Sequence, residues 1–135
     1  MVLSTLSIRS TESDREFVLS QYQNERMRVD LKGAAISAYA DIWLYTDAPD
    51  LNSFIQQLGQ FENPWQGERS WSSVEGDFSL SATCTSLGAV QFCIELQAAQ
   101  GAPEEWRVKA GLVVEFGQLP QIAKKFNAFF TDAPP

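Results

Sequence analysis

The sequence predicts an α+β protein: one antiparallel sheet of about six or more strands, with two helices on one face, built from a duplicated β-β-β-α unit. Three observations carry that reading. Apolar residues alternate with polar ones in six short segments. Two later segments carry apolar residues at helical spacing. The order of these segments repeats in the two halves of the 135-residue chain.

Phe17, Leu19 and Gln21 share one phase of the first segment, and Met27, Val29 and Leu31 form the next. Gln23-Asn24-Glu25 supplies the turn between them. Ile36, Ala38, Ala40, Ile42 and Leu44 alternate in the third segment, before Asp47-Ala48-Pro49-Asp50 stops it. Asp47 or a neighbour suits a helix cap and Pro49 a first helical turn. Leu51, Phe54, Ile55, Leu58 and Phe61 then make a one-sided stripe.

The second half repeats the order. Phe78, Leu80, Ala82 and Cys84 alternate, as do Val90, Phe92, Ile94 and Leu96, and then Trp106, Val108, Ala110, Leu112 and Val114. Gly117-Gln118-Leu119-Pro120 opens a helix carrying Leu119, Ile122, Ala123, Phe126, Phe129 and Phe130. Matching Phe17 to Phe78, Met27 to Val90, Ala38 to Trp106 and Leu51 to Leu119 places the pseudo-repeats at about 15–62 and 70–130. Leu6 and Ile8, and Trp71 and Val74, are candidates for added edge strands, and 62–68 reads as a connecting loop.

Short connections make neighbouring strands antiparallel. One apolar face per strand calls for one covered sheet face, supplied by the helices. Ser86-Leu87-Gly88 fits a three-residue hairpin loop with glycine in the left-handed position, which pairs Ala82 with Phe92. Cys84 and Cys93 then lie on opposite faces and cannot bridge. Reduced thiols agree with a cytoplasmic location.

This length makes one domain, residues 1–135, with 131–135 as a flexible tail. An apolar fraction of 44% and a charged fraction of 20% are those of a globular chain. Met1 to Leu6 has neither the basic start nor the apolar run of a secretory signal. No stretch approaches the ~20 apolar residues that span a bilayer. Ten basic residues against seventeen acidic ones, a net charge of −7, argue against nucleic acid and anionic membranes as partners. The chain has no histidine, which removes histidine-based triads, histidine general bases and every histidine-containing metal site.

Tyr39, Asp41, Trp43 and Tyr45 fall on the outer face of the third segment, with Tyr22 and Arg28 nearby. Aromatics with a few charges suit recognition, because rigid rings give contact area at low entropy cost. The bland alternative is that a terminal strand or a second subunit covers them. The corresponding outer face of the second half carries Arg107, Lys109 and Gly111, so the sheet is chemically lopsided. Glu75, Asp77, Glu104 and Glu105 form an acidic set near Trp71 and Trp106. Their spacing fits no calcium loop, and turn residues explain them better. Ser70, Ser72 and Ser73 have no activating base, and Leu58-Gly59-Gln60 makes no phosphate cradle. No catalytic residue, metal site or cofactor is expected.

Trp71-Ser72-Ser73-Val74-Glu75-Gly76-Asp77-Phe78-Ser79-Leu80-Ser81-Ala82, followed by Ser86-Leu87-Gly88, Glu105-Trp106-Arg107-Val108 and Phe129-Phe130, resembles a family of small bacterial domains of unknown function. The resemblance covers about Trp71 to Phe130. It implies a bacterial origin, supports the fold and brings no catalytic residue. Some similar small acidic domains are encoded beside toxins as immunity proteins, a looser analogy.

The leading expectation is a non-catalytic binding protein acting through the outer sheet face or the Trp71–Asp77 loop, with a protein partner or self-association. A bacterial immunity-type inhibitor of a basic partner is its concrete form. The binding residues expected are Tyr39, Asp41, Trp43, Tyr45, Trp71, Glu75 and Asp77. The alternative is a small-molecule binding protein or histidine-free enzyme with a pocket between sheet and helices.

Overall fold

The computed structural model describes residues 4–131. The first three residues and most of the expected tail, 132–135, lie outside the described residues. Thr131 is instead the last residue of a helix.

Among the described residues, eight strands and two helices are arranged as two four-strand meanders, each followed by a helix. The first is β1 (Thr5–Arg9), β2 (Glu16–Gln23), β3 (Arg26–Lys32) and β4 (Ser37–Trp43), then α1 (Ala48–Gly59). The second is β5 (Arg69–Ser72), β6 (Phe78–Cys84), β7 (Ala89–Gln97) and β8 (Arg107–Glu115), then a 3-10 turn (Phe116–Gln118) and α2 (Leu119–Thr131). The expected single sheet is therefore corrected to two four-stranded antiparallel sheets, β1-β2-β3-β4 and β5-β6-β7-β8. The candidates at Leu6, Ile8 and Trp71 became β1 and β5, each closing on its own half through a short turn, whereas Val74 lies exposed in the turn after β5 and not in a strand. Helix α1 and its loop then separate β4 from β5, so no hairpin joins the sheets.

Local chemistry explains the turns. Asn24 (φ 53°) and Glu25 (φ 68°) give the two left-handed residues that a two-residue hairpin turn requires. Gly88 (φ 91°) closes the Ser86-Leu87-Gly88 loop as expected, and Ala82 pairs with Phe92. Cys84 pairs with Val90 and Cys93 with Ser81, three rows apart, and both thiols are free.

Two sequence phases shift. A register break between Ser20 and Gln23, with Gln21 left-handed (φ 56°), turns Gln21 outward. Tyr22 turns inward instead, with its ring 5.0 Å from Phe130 and 5.9 Å from Phe129. Trp106 precedes β8 and is exposed rather than part of the core face. The row through Phe17 contains Leu31 and Ala38, whereas the row through Phe78 contains Leu96 and Val108. The sequence matches of Met27 to Val90, which carries Leu31 onto Ile94, and of Ala38 to Trp106 are thus two residues out of step with the Phe17–Phe78 match.

The buried residues form one cluster drawn from both sheets and both helices. Phe17 and Phe78, one from each sheet, meet at 6.0 Å. Helix α1 packs on α2 and touches β5, while α2 touches β1, so each helix reaches the other half's sheet. Gln56 of α1 donates to the Ala123 carbonyl of α2 at 2.7 Å. Among the described residues, no helix is long and apolar enough to cross a membrane.

Candidate functional site

The outer face of the first sheet is built by strand alternation. The core residues Met27, Val29 and Leu31 of β3 leave Arg26, Arg28 and Asp30 on the opposite side. Register sets these against Trp43, Asp41 and Tyr39 of β4. Arg26 lies over the Trp43 ring at 4.7 Å, and Arg28 over the Tyr39 ring at 3.9 Å. Arg28 also donates to both carboxylate oxygens of Asp30, at 2.9 and 3.2 Å. That hydrogen bond raises the guanidinium pKa above its ordinary value. Cation–aromatic pairing and the Asp30 fork hold these long side chains in place.

Beyond β4 the chain turns sharply at Tyr45, a left-handed aromatic residue (φ 53°). Such a backbone is strained for a bulky side chain and persists only where neighbours impose it. Here the Tyr45 ring stacks on Trp43 with centroids 4.4 Å apart and planes 9° from parallel. Its hydroxyl donates to Glu75 at 2.5 Å. That bond is the main cause of a raised phenol pKa, with desolvation second.

Glu75 belongs to the turn between β5 and β6, so the structure joins the two groups of residues that the sequence singled out separately. The turn is internally tied. Ser73 donates its hydroxyl to Asp77 at 2.8 Å and accepts the Phe78 N–H, and both Ser73 and Asp77 are buried. Gly76 adopts φ 74°, and its carbonyl accepts from the Gln97 side chain. Asp47 sits at the α1 N-cap but makes no cap bond with its side chain; its carboxylate accepts the Val74 N–H at 3.0 Å. The turn is thus pinned to the β4–α1 junction twice, by Tyr45 and by Asp47.

The seven expected residues divide by role. Tyr39 (54% exposed), Asp41 and Trp43 (40% exposed) present themselves outward. Tyr45 and Glu75 are half-buried and brace Trp43. Trp71 packs edge-on against Phe78 at 5.4 Å, and Asp77 is held by Ser73, so both build the turn rather than its surface. Tyr22 is drawn into the core and leaves the group. Sequence reasoning missed Arg26 and the bracing by Asp47. The signal for Arg26 was present, because a turn at Asn24–Glu25 and alternation along β3 and β4 set it opposite Trp43.

The second sheet's outer face differs, with Ser70, Ser72, Ser79, Ser81, Cys93, Glu95 and Lys109 around an open groove of about 330 Å³. Glu104 and Glu105 are exposed on the β7–β8 loop, and Glu105 lines a second open groove of about 630 Å³ beside Trp106. Among the described residues, no group of three or more histidine, cysteine, aspartate or glutamate side chains is placed to hold a metal ion. The aromatic face has rigid amphipathic contact area and fixed charges.

No curated relative matches the chain. A family match extends over residues 9–133, across both halves and beyond the stretch whose motifs carried the resemblance, so the chain belongs to the family of unknown function DUF6228.

Proposed function

We propose that this chain is a non-catalytic interaction protein that captures a basic protein partner on the outer face of β3 and β4, with Trp43 as the central anchor. The observation that carries the reading is the braced Trp43. A strained Tyr45 stacks on it, Glu75 holds Tyr45, and Arg26 covers it, yet the indole stays 40% exposed. Strain and bracing spent on an outward aromatic are features of a contact surface, where tryptophan, tyrosine and arginine concentrate binding energy. The local cations are already engaged by rings and by Asp30, which leaves Asp41 exposed. A net charge of −7 steers a basic protein towards the molecule.

An immunity-type inhibitor of a basic bacterial toxin is the concrete form of this reading. The small-molecule alternative needs a pocket between sheet and helices; the core there is filled by Phe17, Phe78, Phe126, Leu58 and Ile55, and the grooves between β1 and α2, of about 280 and 390 Å³, are open. We also infer a duplicated ancestor. The twice-used order of four strands and a helix supports it, as does the meeting of Phe17 with Phe78.

The test uses the parent and Trp43→Ala as paired baits. A basic protein held by the parent should be lost by the variant, a loss of about 2 kcal/mol or more in affinity. Melting temperature should change little. Equal retention of that protein by both baits, or a Trp43→Ala variant that melts far below the parent, rejects the reading.

A further inference from the structure

Strands β4 and β8 are the last strands of their sheets, and their edges are finished in different ways. The edge of β8 is sealed by the β1–β2 turn. Thr11 donates its N–H and its hydroxyl to the Val113 carbonyl, at 2.8 and 3.1 Å. Val113 donates its N–H to the Ser10 hydroxyl, and Arg15 donates to the Gly111 carbonyl at 3.0 Å. Among the described residues, β4 touches β7 but carries no such hydrogen-bonded cover along its edge.

Which β4 groups are free follows from the ladder. Leu44 donates its N–H to the Glu25 carbonyl at 2.7 Å, in step with the pairs Ile42–Met27, Ala40–Val29 and Ala38–Leu31. Antiparallel bonding alternates, so the N–H and C=O groups of Ser37, Tyr39, Asp41 and Trp43 point away from β3. Among the described residues, no strand pairs with these groups and no loop backbone bonds to them. The strand is also unguarded. Its seven pairs with β3 run without a bulge, and Ser-Ala-Tyr-Ala-Asp-Ile-Trp contains no proline and one charge. Regular, open edges of this kind are templates for pairing.

We propose that β4 is the pairing edge for a second copy of this chain, with two β4 strands meeting antiparallel about a two-fold axis at Ala40. The register is self-complementary. It sets Ser37 against the second copy's Trp43, Ala38 against Ile42, and Tyr39 against Asp41, so all seven residues are used. The narrow pairs are Ser37 with Trp43 and Tyr39 with Asp41, each occurring twice, and they take up every outward backbone group of the strand. Each Asp41 faces a Tyr39 whose ring carries an Arg28 guanidinium over it, and no like charges oppose each other. An axis at Asp41 would set two carboxylates face to face. On the inner side, the half-exposed Ala38 and Ala40 are small enough to let two edges approach, and they become covered. This goes beyond the proposed contact face, because it uses the strand's edge and leaves the outer face of both copies open.

Sedimentation of the full chain over a concentration series tests the proposal. The parent should show a reversible monomer–dimer equilibrium. Tyr39→Asp puts a carboxylate opposite Asp41 twice per interface and should weaken the dimer at least about tenfold, while Tyr39→Lys should keep or tighten it. Trp43→Ala keeps the backbone groups and should stay within about threefold of the parent, which separates this result from failure of the contact face. Amide exchange at Tyr39 and Asp41 should slow with concentration while that at Ala38 and Ala40 does not. A parent that stays monomeric throughout overturns the proposal. So does a dimer indifferent to the charge at position 39, or one that protects other amides.

Discussion

Tyr45 shows how one residue joins distant parts of the chain. Its left-handed backbone turns the chain out of β4, its ring lies on Trp43, and its hydroxyl reaches Glu75, thirty positions away. The phenol must keep its proton to donate, since ionising it would set a phenolate against a carboxylate. Its folded-state pKa is accordingly raised above 10.0, first by the Glu75 bond. A raised value means that the contribution of this contact is fully present below pH 10 and is lost as pH climbs through the folded-state value. A ring-carbon NMR titration of labelled tyrosine should place the Tyr45 transition above 10.0, and Glu75→Gln should move it down. Tyr22, whose pKa is raised chiefly by burial, should not respond to that change. An unmoved Tyr45 transition in Glu75→Gln would remove the contact. None of this bracing was legible in the sequence. Alternation puts Tyr45 on the same outer phase as Trp43, but positive φ at a tyrosine has no composition signal, and the distance to Glu75 depends on how the halves dock.

At the scale of elements, the contact between α1 and α2 is close enough for a single methyl to matter. Gly59 ends α1 beside Ala123 of α2, and a Cβ placed on it would lie 2.9 Å from the Ala123 Cβ. Alanine is worth up to about 1 kcal/mol over glycine within a helix. Overpacking between two helices costs about 1–3 kcal/mol, and the Ala123 methyl is a short side chain fixed to its own backbone. Gly59→Ala should therefore destabilise on balance. Adding Ala123→Gly makes room for the methyl, so in denaturant titrations the double variant should be more stable than the sum of the single changes allows. Strict additivity would show that the helices yield without cost. The elements themselves were largely legible. Apolar spacing located both helices and six strands, and Gly88 fixed the β6–β7 register. The phase errors have local causes. The bulge at Gln21 reverses which of Gln21 and Tyr22 faces inward, and the long β7–β8 loop leaves Trp106 outside the strand that its alternation had included. A bulge and a loop end each insert residues that a period-two pattern counts as strand.

For the whole molecule, alternation states which side of a strand is buried, but not which edge finds a neighbour. Eight strands with one apolar face each are as compatible with one sheet as with two, and the separation by α1 decided the matter. The result is an interlocked pair of halves. Helix α2 reaches β1, α1 reaches β5, the β1–β2 turn seals β8, and the β5–β6 turn is pinned by Tyr45 and Asp47. Each contact crosses between the halves, and the buried cluster draws residues from both. Leu58 on α1 and Phe126 on α2 lie in the one shared cluster, both essentially inaccessible to solvent. Leu58→Ala and Phe126→Ala should each cost about 2–5 kcal/mol. Because the cluster is shared, each loss should lower the midpoint of a single urea transition whose slope matches the parent's. Amide protection should fall in β2 and in β6 alike, whichever half carries the substitution. A two-step unfolding curve, or a Phe126→Ala variant that loosens only residues 69–131, would mean that the halves fold as separate units and that the docking of the β5–β6 turn against Tyr45 is not coupled to the core.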